Sequence, residues 1–386
     1  MSAPRLEIDL DKIHHNARML VELLAGRGIA VTGVTKAALG SPEIAGALLR
    51  AGVSALGDSR IENIEAMRRA HVPASMILIR SPMPSQADRV VAHADVSFNT
   101  ELDVIRRLSS AAREARRTHG IVLMVELGDL REGIMPGDLD ATVRETLRLP
   151  NIALRGIGTN LACRSGVSPG AGNMSQLTAL AESIEATFGL SLEIVSGGNS
   201  ANLDWASSGA DTGRINDLRL GESILLGRET LNRRPIDGLY TDAMTLVAEV
   251  IESKVKPSLP WGDIAQTAFG EEPPAIDRGD VTQTILAIGR QDTDAAGLRP
   301  PPGIEILGAS SDHLVTDSGR CRLTAGAEIR FQLDYSALLR SMTSPFVAKV
   351  LKGQSGQIPE AAVLPTTDRF RPIAASRAWR RSSRSS

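Results

Sequence analysis

Short apolar runs alternate with amphipathic stretches through the first two-thirds of the chain. Residues 29–35, 53–57, 76–79, 96–99, 121–127, 153–159, 192–196 and 215–219 are short β-rich runs, so each reads as a strand. Residues 42–51, 60–70, 101–117 and 174–188 repeat their apolar positions at helical spacing. Strands joined by helical crossovers predict an α/β fold, a parallel (β/α)8 barrel of the TIM type, with a doubly wound open sheet as the alternative. In such a barrel the residues directly after the strands line one mouth, where active sites form.

The pattern changes near Asp237. Residues 240–350 carry alternating runs such as AMTLVAEVIESKV, VTQTILAIG and EIRFQL, separated by turn signals. This predicts three regions: a barrel over 1–236, a C-terminal mostly-β domain over 237–352, and an Arg-, Ser- and Pro-rich tail over 353–386. Residues 6–10 are strand-like and available to join the β domain, and residues 335–342 read as a closing helix. In the tail, the last nineteen residues hold six Arg against one Asp, a composition expected to stay disordered.

Composition narrows the function classes. A net charge of −2 and 3% aromatic residues give neither the basic footprint nor the stacking groups of a nucleic-acid binder. The apolar runs are too short for a membrane span, and the N-terminus has no signal-peptide apolar core. Cys163 and Cys321 stand far apart without metal spacing, which fits a reducing cytoplasm. Zinc-type clusters, phosphate loops, dinucleotide fingerprints and G-x-S-x-G elbows are absent from the sequence.

Candidate chemistry sits at the strand ends. Lys36 follows the first barrel strand in VTGVTKAALG. Burial of its stem there would favour the neutral amine used in Schiff-base chemistry, against the alternative of a surface lysine. Asn199 and Ser200 follow the seventh strand in SGGNSANL, where glycines let backbone approach a ligand; the competing reading is an ordinary capped turn. Arg219, Gly221 and Glu222 follow the eighth in LRLGES, and loops after strands seven and eight recurrently bind phosphate, although Arg219 could equally form a structural salt bridge. Asp58, Arg60, Arg131 and Asn160 close other strands. In the second domain Asp312 and His313 stand out, although a lone histidine is more often structural, as His14 and His15 are read here.

Taken in order, LEIDLDKIHHNARML, VTKAALG, GDSRIENI, ELGDLREGIMP, GIGTNLAC, SGGNSANL, LRLGESILLG and DYSALLRSMTSP resemble the alanine racemase family, and within it the alanine/ornithine racemase branch. The resemblance implies a pyridoxal 5'-phosphate enzyme in which Lys36 carries the cofactor. It places Arg219 against the pyridine nitrogen, Ser200, Gly221, Glu222 and Tyr335 at the phosphate, Arg131 near the phenolic oxygen and Asn160 beside the ring. It also implies a free amino-acid substrate and a head-to-tail homodimer.

Three positions depart from the family pattern. Gly40 stands where a tyrosine is common, Met124 where many members have a modified lysine, and Trp261, in PWG, where the partner subunit's catalytic tyrosine is expected. An indole has only a donor N–H and cannot serve as a base. His313 is therefore the first candidate for the second catalytic base and Asp312 the second. The branch resemblance and the acids Asp292, Asp294 and Asp312 favour a substrate larger than alanine, such as ornithine or lysine, although solvation alone would explain these acids. Two alternatives stay open: a metal-using D-amino-acid aldolase or dehydratase, for which only His313 and Asp312 are available as ligands, and a non-catalytic cofactor carrier, against which the second domain argues.

Overall fold

The computed structural model describes residues 4–270 and 276–353. The expected tail over 353–386 lies outside these residues apart from Gly353.

The chain opens with β1 (Arg5–Asp9) and α1 (Leu10–Ala25); Asp9 caps α1 by accepting from the Lys12 N–H. Eight parallel strands then close into a barrel: β2 (Ala30–Val34), β3 (Ala55–Asp58), β4 (Met76–Leu78), β5 (Val96–Asn99), β6 (His119–Met124), β7 (Ile152–Gly158), β8 (Ile194–Asn199) and β9 (Asp217–Leu220). Helices α2 (Pro42–Arg50), α3 (Ile61–Arg69), α4 (Ala87–His93), α5 (Leu102–Glu114), α6 (Leu139–Leu147), α7 (Ala171–Phe188), α8 (Leu203–Ser207) and α9 (Glu222–Leu226) follow the successive strands. Each expected strand overlaps one observed strand, and the closed barrel replaces the open-sheet alternative.

The remaining strands are β10 (Met244–Pro257), β11 (Asp280–Leu286), β12 (Leu298–Arg299), β13 (Glu305–Ala309), β14 (Leu314–Asp317), β15 (Glu328–Leu333) and, after α10 (Tyr335–Thr343), β16 (Ala348–Lys352). All but β16 form an antiparallel path β12-β15-β10-β11-β14-β13. The long β10 carries both halves: it pairs with β15 through Glu249 and, past a bulge between Val250 and Glu252, with β11. β1 joins this sheet, antiparallel to β10 and parallel to β16. The chain therefore starts in the second domain and crosses back through α1, whose buried face includes Ile13, Ala17, Leu20 and Leu24.

Two apolar clusters set where chemistry can occur. The larger fills the space between sheet and helices. The smaller plugs the barrel interior with Ala55, Ile77, Val96, Phe98, Val122, Met124 and Ile194. The C-terminal strand ends lie above this plug, and α10 packs against the turn that leaves β2.

Candidate active site

A cavity of about 600 Å³ lies between the barrel mouth and α10. Of the candidates read from strand ends and resemblance, Lys36, Arg131, Asn160, Asn199, Ser200, Arg219, Gly221, Glu222 and Tyr335 line it, whereas Asp58 and Arg60 do not.

Lys36 opens a single 3₁₀ turn, Lys36–Ala38, directly after β2. Two successive left-handed residues, Leu39 and Gly40, at φ 53° and 67°, stop the turn. A side chain at Gly40 is excluded: its Cβ would stand 2.7 Å from the Asn63 carbonyl oxygen. The turn is tied down by the buried carboxyl of Asp58, which accepts from Thr35 Oγ1 at 2.7 Å, Arg60 N at 2.9 Å and Asn63 Nδ2 at 3.0 Å. Burial pushes the Asp58 carboxyl up, and the bonds from Thr35, Arg60 and Asn63 oppose that push. Lys36 itself is half-buried, its Nζ 5.5 Å from the centre of the Tyr335 ring. Burial raises the Tyr335 phenol, with Lys36 opposing.

Across the mouth, β8 and β9 end in a polar cradle. Gly198 sits at φ 147°, where a Cβ would meet Asn202 Oδ1 at 2.0 Å, so the chain turns tightly there. Asn199 orders the turn: its Oδ1 accepts from Ala201 N at 2.8 Å and its Nδ2 donates to Asn160 Oδ1 at 3.1 Å. Ser200 Oγ faces the next strand end, 3.0 Å from the Ser223 hydroxyl and 3.3 Å from the Ser223 N–H. Gly221 and Glu222 begin α9 beside it. Burial pushes the Glu222 carboxyl up to about 7; Arg233 and Lys36 oppose this, and Asp334 adds to it.

Arg219 lies at the cavity floor. Its guanidinium donates to the Ser196 hydroxyl, to Thr159 O at 2.7 Å and to Asn160 Oδ1 at 3.2 Å, and it stands 5.2 Å over the Phe98 ring. Burial lowers its pKa to about 10, against the attraction of Asp217, so it stays cationic near neutrality. Asp217 is reached through Ser196, whose hydroxyl also donates to that carboxylate. Asn160 Nδ2 is buried beside this group without a hydrogen-bond partner.

Arg131 donates to Cys163 Sγ at 3.1 Å and lies 3.4 Å from Glu132. Met124, part of the barrel plug, offers no charge to orient it. The two candidates for the second base lie elsewhere. Asp312 and His313 form the exposed tip of the β13–β14 hairpin, with Asp312 Oδ1 3.0 Å from His313 Nδ1, and neither lines the cavity. Trp261 is 82% exposed between β10 and β11. Asp292, one of the acids noted in the second domain, is buried and accepts from Ser344 at 2.6 Å. The structure adds Ser223 and Asp217 to the site's supporting network, and Glu132, Cys163, Thr230 and Arg233 to its lining. Among the described residues no group of three His, Cys, Asp or Glu is placed to hold a metal ion.

Residues 8–228 match the model of the alanine racemase N-terminal domain. The chain is 41% identical over 354 residues to a lysine racemase of Thermotoga maritima, covering 91% of this chain and 99% of that protein. It is 39% identical over 352 residues to an ornithine racemase of Acetoanaerobium sticklandii, covering 90% and 99%. Likeness to an alanine racemase of Sorangium cellulosum is 29% over 171 residues, 42% of this chain and 45% of that protein. The fold matches a Bartonella henselae alanine racemase with covalently bound pyridoxal phosphate at TM-score 0.69 and 16% identity, covering 91% of this chain and 100% of that one. It also matches a D-threonine aldolase of Filomicrobium marinum at TM-score 0.69 and 17% identity, covering 88% of each chain. The barrel-plus-β-domain architecture, the family model over the barrel and the full-length likeness to two racemases lead to one conclusion: the chain belongs to the alanine racemase family.

Proposed function

We propose that this chain is a pyridoxal-phosphate-dependent amino-acid racemase whose substrate is a cationic amino acid, ornithine or lysine, and that it works as a head-to-tail homodimer. The observation that carries the reading is likeness over nearly the whole chain to a lysine and an ornithine racemase, against likeness over less than half of it to an alanine racemase. The carboxyl group of Glu132 at the cavity wall supports a cationic side chain. Trp261, Ile264, Phe269 and Ile276, all exposed in the segment between β10 and β11, support a surface covered by a second copy. Two free cysteines fit a reducing, cytoplasmic setting.

The lining fits the cofactor on its own chemistry. The partnerless Asn160 Nδ2 and the cationic Arg219 present donors to a flat, acceptor-bearing ring, and Ser200, whose oxygen accepts from Ser223, keeps its own O–H for an anion. Lys36 would hold the cofactor covalently. Ser200, Tyr335 and the backbone of Gly221 and Glu222 would take its phosphate, Arg219 its ring nitrogen and Arg131 its phenolic oxygen, with Asn160 beside the ring and Asn199 ordering the turn. Bound there, pyridoxal phosphate withdraws electrons from Cα of an attached amino acid and makes its C–H acidic.

The protein's own groups then decide the outcome. Arg219 is cationic and can only donate, so it leaves an acceptor before it unprotonated and limits how far the ring draws charge away; proton return to Cα is favoured over transamination. Lys36 moves a proton at Cα on one face. On the other face the proton is handled by His313 of the partner's hairpin, oriented by Asp312; Trp261 lacks an acceptor. The test is incubation of the purified protein with L-alanine, serine, ornithine, lysine and arginine in deuterated water, followed by chiral analysis. Deuterium at Cα with D-isomer formation, fastest for ornithine or lysine, is the expected result. A preference for alanine overturns the substrate, and no exchange with any amino acid overturns the activity.

A further inference from the structure

The cavity carries a cation that the strand-end reading does not use. Arg233 lines it, within electrostatic reach of Glu222 and bonded to Asp334, the residue before Tyr335. The residue is presented by a compact loop after α9, built around one buried carboxylate. Burial opposes ionisation of Glu229, but its oxygens accept from the N–H groups of Leu231 at 2.8 Å, Asn232 at 2.9 Å and Arg234 at 2.9 Å, and the result is a lowered pKa. Around this centre Arg233 is held at φ 60°, a left-handed conformation unusual for a side-chain-bearing residue. Its guanidinium rests on Asp334, with Nη1 2.7 Å from Oδ2. Asp334 in turn caps α10, the helix that begins with Tyr335.

The electrostatics of the phosphate cradle call for such a group. Ser200, Tyr335 and the backbone of Gly221 and Glu222 supply hydroxyls and N–H groups but no formal positive charge, while Glu222 and Asp334 place two carboxyl groups beside them. A phosphate monoester is close to dianionic at neutral pH. Among the described residues lining the cavity, the other cations are committed or distant. Lys36 is the attachment point, and Arg219 is buried on Ser196, Thr159 and Asn160. Arg80 follows β4, on the far side of the closed barrel from β8, and Arg131 follows β6 and engages Cys163. Arg233 is adjacent to the cradle, and after its bond to Asp334 it keeps further N–H donors.

Building on the cofactor reading above, we propose that Arg233 is a cofactor-binding residue. Its guanidinium, held on Asp334, is the cationic partner of the phosphate in a cradle otherwise made of hydroxyls and backbone N–H groups. Asp334 then has two tasks, orienting Arg233 and capping the helix that carries Tyr335.

The test compares two probes on the full-length chain stripped of cofactor: pyridoxal phosphate and pyridoxal, which keeps the aldehyde and ring but lacks the phosphate. Binding is followed by absorbance and by quenching of intrinsic fluorescence. Arg233→Ala should weaken pyridoxal phosphate about 10- to 100-fold, in line with loss of one charge-assisted hydrogen-bonding group, and leave pyridoxal within about twofold. Arg233→Lys, which keeps the charge, should fall between. Equal affinity of wild type and Arg233→Ala for pyridoxal phosphate overturns the proposal, and so does an equal loss for both probes, which marks a purely structural role. Failure of the wild-type chain to bind either probe overturns the cofactor reading itself.

Discussion

Thr35 donates its hydroxyl to the buried carboxyl of Asp58 at 2.7 Å, joining the end of β2 to the end of β3 one residue before Lys36. The bond fixes the base of the turn on which Lys36 stands. Thr35→Val keeps the shape and removes the donor. It should cost about 1–3 kcal/mol in urea denaturation, because Asp58 is left buried with one partner fewer. With Lys36 as the proposed attachment point, the same variant should release cofactor faster on dialysis. Wild-type stability together with wild-type retention would show that the bond does not position Lys36.

Asp217 and Arg219 are the second buried pair, linked through the Ser196 hydroxyl. Burial disfavours the charge on both, and each opposes that effect in the other. Removing one partner leaves an uncompensated buried charge, so Asp217→Asn should cost about 3–5 kcal/mol of stability. Adding Arg219→Gln to it should recover part of that loss, a coupling that a double-mutant cycle measures. Strictly additive losses would mean the two charges do not interact.

Much of this was legible beforehand because its signals are local. Short β-rich runs such as 76–79 and 121–127 recur between helical stretches, and Lys36, Ser200 and Arg219 stand at strand ends whatever the helices do. The rest depends on contacts distant in sequence. Arg233 lies in a polar stretch without periodicity and enters the cavity only because the Glu229 carboxylate gathers the backbone around it. Cys163 informs on compartment when read alone; its contact with Arg131 needs β6 and β7 to be neighbours. His313 and Asp312 stand out by residue type alone, and a single chain places them on an exposed hairpin away from its own cavity.

Glu222 should make stability depend on pH. Its folded value of about 7 lies above the ordinary value of 4.5, with burial as the cause and Arg233, Asp334 and Lys36 as the charged neighbours. Below 4.5 the carboxyl is neutral in both folded and unfolded chains and carries no penalty. Between 4.5 and about 7 the unfolded chain ionises first and stability is lost; above that the loss is complete. Glu222→Gln removes the titration, so in cofactor-free protein its stability relative to wild type should rise between pH 4 and pH 8 by roughly 2–4 kcal/mol. Denaturant titrations across that range check it, and a pH-independent difference would mean Glu222 ionises normally.

The placement of His313 away from its own chain's cavity makes the two-base reading a statement about the proposed dimer. If each site takes Lys36 from one subunit and His313 from the other, Lys36→Ala and His313→Gln homodimers should both be inactive in racemisation, each for lack of one proton carrier. Mixing and reassorting the two variants then builds heterodimers in which one site has lost both groups and the other has both intact. With random reassortment half the dimers are mixed, so about one quarter of wild-type activity should return. No recovery from two inactive variants would show that both groups must come from the same chain. Full racemisation by His313→Gln alone would remove His313 from the mechanism and pass the role to Asp312, for which the same mixing experiment with Asp312→Asn applies.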